Sequence, residues 1–310
     1  MKILVTGAAG FIGCRIAVEA ARRGYEVIGV DNLERSKEWS LRLLKTFDVP
    51  LIVADVAGTD LVQRVGAVEW IVHAAAYIDV QESVEFPELY SDNNVTKTVA
   101  LAKSFFKKFG SKFLFISSAA VYGEPKYLPI DENHPLEPIS PYGASKASAE
   151  LFLKAMAKSQ PLFRYCVLRF FNIYGPGQSG AYAGVVTRFI ERMMQGYPPE
   201  IYGDGEQVRD FLYVDDAVDA VLKVIELGVF DAVLNIGAGT PISINSLVKV
   251  LQRVLRISVN PVYKPPRLGD IRASYASINR AKALLRWSPR VGLEEGVRRT
   301  VEWFSKLYVR

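Results

Sequence analysis

Two histidines and two cysteines in 310 residues leave little material for metal or thiol chemistry. His73 and His134 stand apart from any cysteine or carboxylate at a metal-ligand spacing, so no structural or catalytic metal is expected. Cys14 and Cys166 sit inside apolar periodic segments, without the regular spacings of a disulfide framework, which points to free thiols and a reducing compartment. Long apolar runs are also lacking, and the chain begins on the strand-like Lys2-Ile3-Leu4-Val5 where a signal peptide would place a basic and then an apolar stretch. A cytoplasmic protein with no membrane partner is expected. Net charge is +5 and the pI near 9.0, yet the basic residues are dispersed, with only short clusters such as Arg298-Arg299. No basic stripe interleaved with aromatics occurs, so no nucleic-acid partner is expected; a mild positive excess suits anionic small molecules. There is no internal repeat and no low-complexity segment.

What the chain has is apolar material. Half of its residues are hydrophobic, enough for one large α/β domain or two that share a boundary. Over the first two-thirds, short β-branched runs alternate with amphipathic stretches, the pattern of strand-helix-strand units that build a parallel sheet. Strands are expected at 2–6, 26–30, 51–53, 70–74, 112–117 and 165–171, and helices at 10–22, 60–65, 90–109 and 141–158. Strands covered by helices on both faces are apolar almost throughout, as these are, so an α/β fold with a doubly wound parallel sheet follows. After about Asn172 the pattern is punctuated by Gly175-Pro176-Gly177, Pro198-Pro199, Gly203-Asp204-Gly205 and Pro265-Pro266. The expected division is therefore a doubly wound domain at 1–172 and a smaller C-terminal α/β region at 173–310. A helix over 212–227 and a strand over 232–236 are expected to return to the main sheet, within 212–237.

The first strand runs into Gly7-Ala8-Ala9-Gly10-Phe11-Ile12-Gly13 and then an apolar-periodic helix. Glycines let such a turn bring backbone N–H groups and a helix N-terminus against a pyrophosphate, where the helix dipole favours anions. The spacing G-x-x-G-x-x-G departs from the usual G-x-G-x-x-G. The second strand ends at Asp31, followed by Asn32. A carboxylate there can accept from adenosine ribose hydroxyls and repels a 2′-phosphate, which favours NAD over NADP, although Arg35 is close by in sequence. Asp31 could instead cap the turn from strand to loop, but strand, turn, helix, strand and acid in this order favour a dinucleotide site. Asp55-Val56, after the third strand, and Ala74-Ala75-Ala76, after the fourth, either approach the cofactor or are ordinary loop and packing residues.

Further along stand Asn93-Asn94, Ser117-Ser118-Ala119-Ala120-Val121-Tyr122-Gly123 and Pro141-Tyr142-Gly143-Ala144-Ser145-Lys146. At one helical turn's spacing Tyr142 and Lys146 share a face, so the ammonium can stabilise a phenolate and make tyrosine a usable base. In this order the motifs resemble the extended short-chain dehydrogenase/reductase family, and within it the nucleotide-sugar epimerases typified by UDP-glucose (UDP-galactose) 4-epimerase. The resemblance covers essentially the whole chain and implies a Rossmann fold, NAD as cofactor, a UDP-sugar substrate and a homodimer formed through the helices of 90–109 and 145–158. It implies Tyr142 as general base and acid, Lys146 as the group that holds the nicotinamide ribose and lowers the tyrosine's pKa, and Ser118 as the hydroxyl that orients the sugar. Asn93 matches a cofactor-contacting asparagine, and Phe171 a residue beside the nicotinamide. Asn172 and Arg209 match the family's diphosphate contacts, Arg267 a second phosphate-binding arginine, and Asp270 a ribose-binding carboxylate. Val185 and Tyr202 look like the nucleoside pocket, where Tyr202 either packs by the uracil or is a half-buried strand tyrosine.

The reaction this implies is NAD-dependent epimerisation at C4 of a UDP-hexose through a 4-keto intermediate. Departures narrow the choice among relatives. The family's 4,6-dehydratases carry an Asp-Glu pair where this chain has Ala119-Ala120, so dehydration lacks its proton donor and base. Ile78 and Lys97 replace a lysine and a glycine found in some UDP-galactose 4-epimerases. Ser274 aligns with a site where a bulky tyrosine narrows the sugar pocket of relatives, which implies that N-acetylhexosamines are accepted too. A UDP-glucuronate epimerase or decarboxylase needs a site for the C6 carboxylate, and Ser118-Ala119-Ala120 offers at best a hydroxyl. A catalytically silent NAD-binding regulator is expected to lack Tyr142 or Lys146, and both are present.

Overall fold

A computed structural model describes residues 1–178, 184–266 and 269–308, with residues 307 and 308 described without their side chains. The chain divides into two compact units: Met1–Gly123 with Pro135–Arg169 and Val218–Leu234, and Glu124–His134 with Phe170–Ala217 and Asn235–Arg310. Segment 124–134, which the sequence places in the first domain, groups with the second unit. There Ile130 bridges to Ala276, and the Asn235 backbone N–H donates to Glu132.

The first unit is built on a seven-stranded sheet. Its first six strands in chain order are β1 (Lys2–Thr6), β2 (Glu26–Asp31), β3 (Leu51–Val53), β4 (Trp70–His73), β5 (Lys112–Ser118) and β6 (Tyr165–Phe170), with Ala232–Ile236 as the seventh. Across the sheet the order is the seventh strand, β6, β5, β4, β1, β2, β3. The pairs β1–β2, β1–β4, β2–β3 and β4–β5 are parallel, so strand order reverses direction beside β1 and opens a crevice beyond the carboxyl ends of the strands. Strand burial shows why the strands are apolar: β4 and β6 are buried at every position. Leu101, Phe105, Phe113, Phe115 and Phe163 fill one core, each such side chain contributing roughly 1.5–3 kcal/mol on leaving water.

One expected helix is broken. In place of a continuous helix over 90–109, Pro87–Ser91 is followed by a π-helical turn at Asp92–Thr96 and then a helix at Lys97–Phe109, ended by Gly110 in the left-handed region. The expected helix at 212–227 begins at Val214, because Phe211–Tyr213 is a strand paired parallel to Asn172–Tyr174. That pair, short strands at 200–202, 208–209, 242–243, 262–264 and 273–274, and a core of Phe189, Ile190, Met193, Leu247, Leu251 and Val297 make the second unit. Among the described residues no helix is long and apolar enough to cross a membrane.

Candidate active site

At the carboxyl end of β1 the backbone turns on Gly7, whose φ of +66° lies in the region that side chains disfavour. A Cβ on Gly7 would stand 2.7 Å from the Ala75 nitrogen, and one on Gly13 would stand 2.0 Å from the Gly7 oxygen, so both glycines are needed for close approach. Gly10 then starts the helix Phe11–Arg22 with no side-chain cap and no acidic residue in its first turn, which leaves the N–H groups at Phe11, Ile12 and Gly13 without a competing carboxylate. Gly7, Gly10, Asp31, Asn32, Asp55, Val56, Ala74, Ala75, Ala76 and Asn93 all line one cleft, joined by Arg35, Ala54 and Tyr77. This cradle fits a dinucleotide: a glycine turn at a helix N-terminus for the diphosphate and a carboxylate at the end of the second strand for the ribose.

Asp31 serves the loop as well as facing the cleft. Its two oxygens accept from the Ala9 N–H at 2.9 Å and the Leu33 N–H at 2.8 Å, each keeping lone-pair capacity for a further donor. Arg35 is drawn aside, with Nη2 at 2.8 Å from Glu82 and its guanidinium 3.9 Å from the centre of the Tyr77 ring. Lys97, read as a departure from the family pattern, reaches Asp55 at 2.7 Å. Burial would raise the Asp55 carboxyl, but Lys97 and the Ala57 N–H outweigh it and hold the group below its usual range. Asn93 donates to Asn94, whose amide grips both the N–H and the carbonyl of Tyr77 and also donates to Ser145 on the helix Pro141–Ser159.

That helix is started by Ser140, whose hydroxyl accepts from the Gly143 N–H, with Pro141 at its first position. A Cβ on Gly143 would lie 2.4 Å from the Ala120 oxygen, so glycine lets the first helical turn press against the turn that follows β5. This brings the Ser118 hydroxyl, at the end of β5, towards the Tyr142 phenol. Burial holds the Tyr142 phenol above the ordinary tyrosine range, with the Ser118 hydroxyl opposing it. One turn on, Lys146 is 3% exposed; its Nζ donates to the Ile116 carbonyl at 2.8 Å and lies 4.6 Å from the Phe115 ring centre. Burial pushes this ammonium down to about 7, with the Glu150 carboxylate working the other way. Burial is the largest influence on both partners.

His73 is buried behind this pair. Thr98 spends its proton on the Asn94 carbonyl, so it accepts from His73 Nε2 at 2.8 Å, and Nδ1 accepts from Thr6 at 2.7 Å. Burial, then the Lys146 charge, push the imidazole down to about 3, leaving a neutral ring that links β1, β4 and the helix Lys97–Phe109. Sequence reading gave Asn94 no role of its own beside Asn93 and missed Tyr77 and Tyr90; the Tyr90 ring meets that of Tyr142 edge-on at 6.4 Å.

In the second unit a cavity of about 450 Å³ brings together Asn172, Val185, Tyr202, Arg209 and Asp270, with Arg188, Arg192 and Gln207 also on its walls. Val185 opens the helix Val185–Met194, and Tyr202 ends a strand paired with Val262–Lys264. Asn172 donates to the Asp210 carbonyl at 2.9 Å, which fixes it beside the strand of Arg209. Ser274 stands opposite Arg209 in the register of two paired strands. Arg267 lies outside the described residues. Phe171 also belongs to the second unit, buried with its N–H on the Ile236 carbonyl at 3.0 Å.

Residues 3–237 match the model of the NAD dependent epimerase/dehydratase family, and the chain belongs to it as an NAD-dependent nucleotide-sugar epimerase of the short-chain dehydrogenase/reductase type. NAD is its cofactor. The UDP-glucose 4-epimerase of Thermotoga maritima, solved with UDP-glucose, is 39% identical with a TM-score of 0.93, over 99% of this chain and 100% of that one. The UDP-N-acetylglucosamine 4-epimerase of Methanobrevibacter ruminantium, solved with UDP-N-acetylmuramic acid, is 34% identical with a TM-score of 0.93, over 99% and 98%. The UDP-glucuronic acid 4-epimerase of Bacillus cereus, solved with UDP-glucuronic acid and NAD, is 30% identical with a TM-score of 0.90, over 99% and 100%.

Proposed function

We propose that the protein inverts C4 of UDP-hexoses, interconverting UDP-galactose and UDP-glucose and also accepting UDP-N-acetylhexosamines. The observation that carries this reading is the placement of Tyr142 and Lys146 one turn apart on the helix packed beside Ser118, in the unit that also holds the dinucleotide cleft. Tyr142 as phenolate takes the O4 proton, and Ser118 holds the sugar hydroxyl in line with it. Bound NAD supplies the hydride acceptor for C4 and the hydride donor for the return. Lys146, held by the Ile116 carbonyl, would stabilise the phenolate and hold the nicotinamide ribose of the cofactor. Inversion requires the 4-keto sugar to turn before reduction, so the intermediate must be tethered by its remote end. Asn172, Arg209 and Arg267 are assigned to the diphosphate, Asp270 to the ribose and Val185 with Tyr202 to the base; arginine's planar fork suits phosphate oxygens.

Support for the epimerase chemistry over dehydration comes from Ala119 and Ala120, which offer neither acid nor base beside Ser118. Support for a broad sugar pocket comes from the small Ser274 on the strand beside Arg209. A homodimer belongs to the same reading, with Leu151 and Phe152 of the helix Pro141–Ser159 exposed at 59% and 51%. Light scattering tests it: a dimer is expected at micromolar concentration, and a monomer would remove it. The substrate assignment is tested by incubating the purified protein separately with UDP-galactose, UDP-N-acetylgalactosamine and UDP-glucuronate and following C4 by NMR. Inversion of the first two is expected; inversion of UDP-glucuronate alone would move the assignment to uronates.

A further inference from the structure

Two successive residues at the end of β5 are gripped by successive turns of one helix, and a third stands beside it. Ile116 accepts from Lys146 through its carbonyl, Ser117 donates its hydroxyl to Glu150, and Ser118 lies towards Tyr142. The Glu150 grip is a buried charge. Glu150, 5% exposed, also receives Arg169 of β6, with Nη2 at 2.6 Å from one oxygen and Nε at 3.1 Å from both. Arg169 in turn donates to the Tyr122 hydroxyl at 2.9 Å and lies 4.9 Å from that ring's centre.

A buried ion pair is weak evidence for stability, since desolvating both charges offsets most of their attraction. What it supplies is fixed geometry and a fixed charge. We infer that Glu150, balanced by Arg169, is a positioning residue that sets the register of Ser118 and Ile116 against the catalytic helix and the charge balance of the Tyr142–Lys146 pair. This rests on the proposed role of Tyr142 as base. Among the described residues, these titratable and charged groups surround the pair. Glu150 lies one turn from Lys146 on the same helix, and Arg169 and Tyr122 lie beyond it. His73 on β4 is neutral, and Tyr90 faces Tyr142 with its hydroxyl bonded to Glu82, which Arg35 neutralises. Glu150 and Arg169 are thus the opposed charges on the Lys146 side, and removing either one tips the balance in a known direction.

Glu150→Gln keeps an oxygen for Ser117 and Arg169 but removes the negative charge, which favours the Tyr142 phenolate and disfavours the Lys146 ammonium. Both titrations should move down, and with them the pH profile of kcat, by about one pH unit. Arg169→Gln leaves Glu150 uncompensated and should move the profile up; the double variant should return it near the parent. A register role without the charge role would lower kcat in all three at every pH with no opposed shifts, and that result would overturn the inference. The Tyr142 titration can also be read without substrate, as the 295 nm absorbance difference between each protein and its Tyr142→Phe counterpart. If Arg169→Gln does not fold, a downward shift in Glu150→Gln supports the inference and an unmoved titration overturns it. A parent that inverts no sugar would refute the proposed function, while the optical titration would still decide this one.

Discussion

Arg209 and Asp270 meet with Nη2 at 2.5 Å from Oδ1, while the other arm of the guanidinium donates to the carbonyls of Val208 and Ile271. Two backbone acceptors thus aim the fork, and a carboxylate occupies its other arm. If Arg209 holds the diphosphate as proposed, substrate binding exchanges one anion for another. Arg209→Ala should remove charge-assisted hydrogen bonds worth about 1.5–3 kcal/mol, weakening UDP affinity roughly 10- to 150-fold. Calorimetry with UDP checks this. Arg209→Lys should restore little, because a point charge lacks the fork.

Gly13→Ala places a methyl group 2.0 Å from the Gly7 oxygen, backbone that cannot yield without opening the glycine turn. The variant should lose tightly held NAD before it loses the sheet. Cofactor released on acid denaturation, measured beside the far-UV circular dichroism spectrum, separates the two effects.

Lys146 makes stability depend on pH with a definite sign. Its folded pKa is depressed to about 7 from an ordinary 10.5, so between those values the unfolded chain binds more protons. Stability of the cofactor-free protein should rise with pH across that window and fall as pH drops towards 7. His73, pushed down to about 3 from 6.5, adds a second loss as pH falls below 6.5. In Lys146→Met the first dependence should vanish and the second remain, as read from urea midpoints at pH 6, 7, 8 and 9.

Ser274 stands opposite Arg209 on a neighbouring strand, where side-chain size is felt close to the assigned substrate contacts. Ser274→Tyr should suppress turnover of UDP-N-acetylgalactosamine by at least about tenfold relative to UDP-galactose, the scale of a pocket contact worth 1–3 kcal/mol. Equal loss for both sugars would sink the pocket-size idea.

Much of the first unit was legible because its signals are local. The glycine turn, Asp31 and the Tyr142–Lys146 spacing each follow from a few adjacent residues, and the strands announce themselves by unbroken apolar runs. What escaped depends on residues far apart in sequence. The π-helical turn at Asp92–Thr96 surrounds Asn94, whose amide is held by Tyr77 and Ser145, contacts that no helical periodicity reveals. Lys97 read as a departure from the family pattern, yet it is the partner of Asp55. Glu150 lies at helical spacing from Lys146 and was visible in that sense, but its meaning needed Arg169 on β6 and Ser117 on β5. The direction of the Tyr142 shift was also beyond the sequence, since spacing shows a nearby cation and only the structure shows how strongly burial opposes it.

In the proposed reaction Tyr142 exchanges a proton at O4 while hydrogen at C4 leaves and returns within one site. This is tested most directly with UDP-glucose carrying deuterium at C4, turned over in ordinary water by the parent and by Tyr142→Phe. The parent should yield UDP-galactose with its deuterium still at C4, and the variant should be slower by roughly a hundred- to ten-thousand-fold while keeping its NAD. Product that has lost deuterium to water, or a Tyr142→Phe enzyme as fast as the parent, would contradict it.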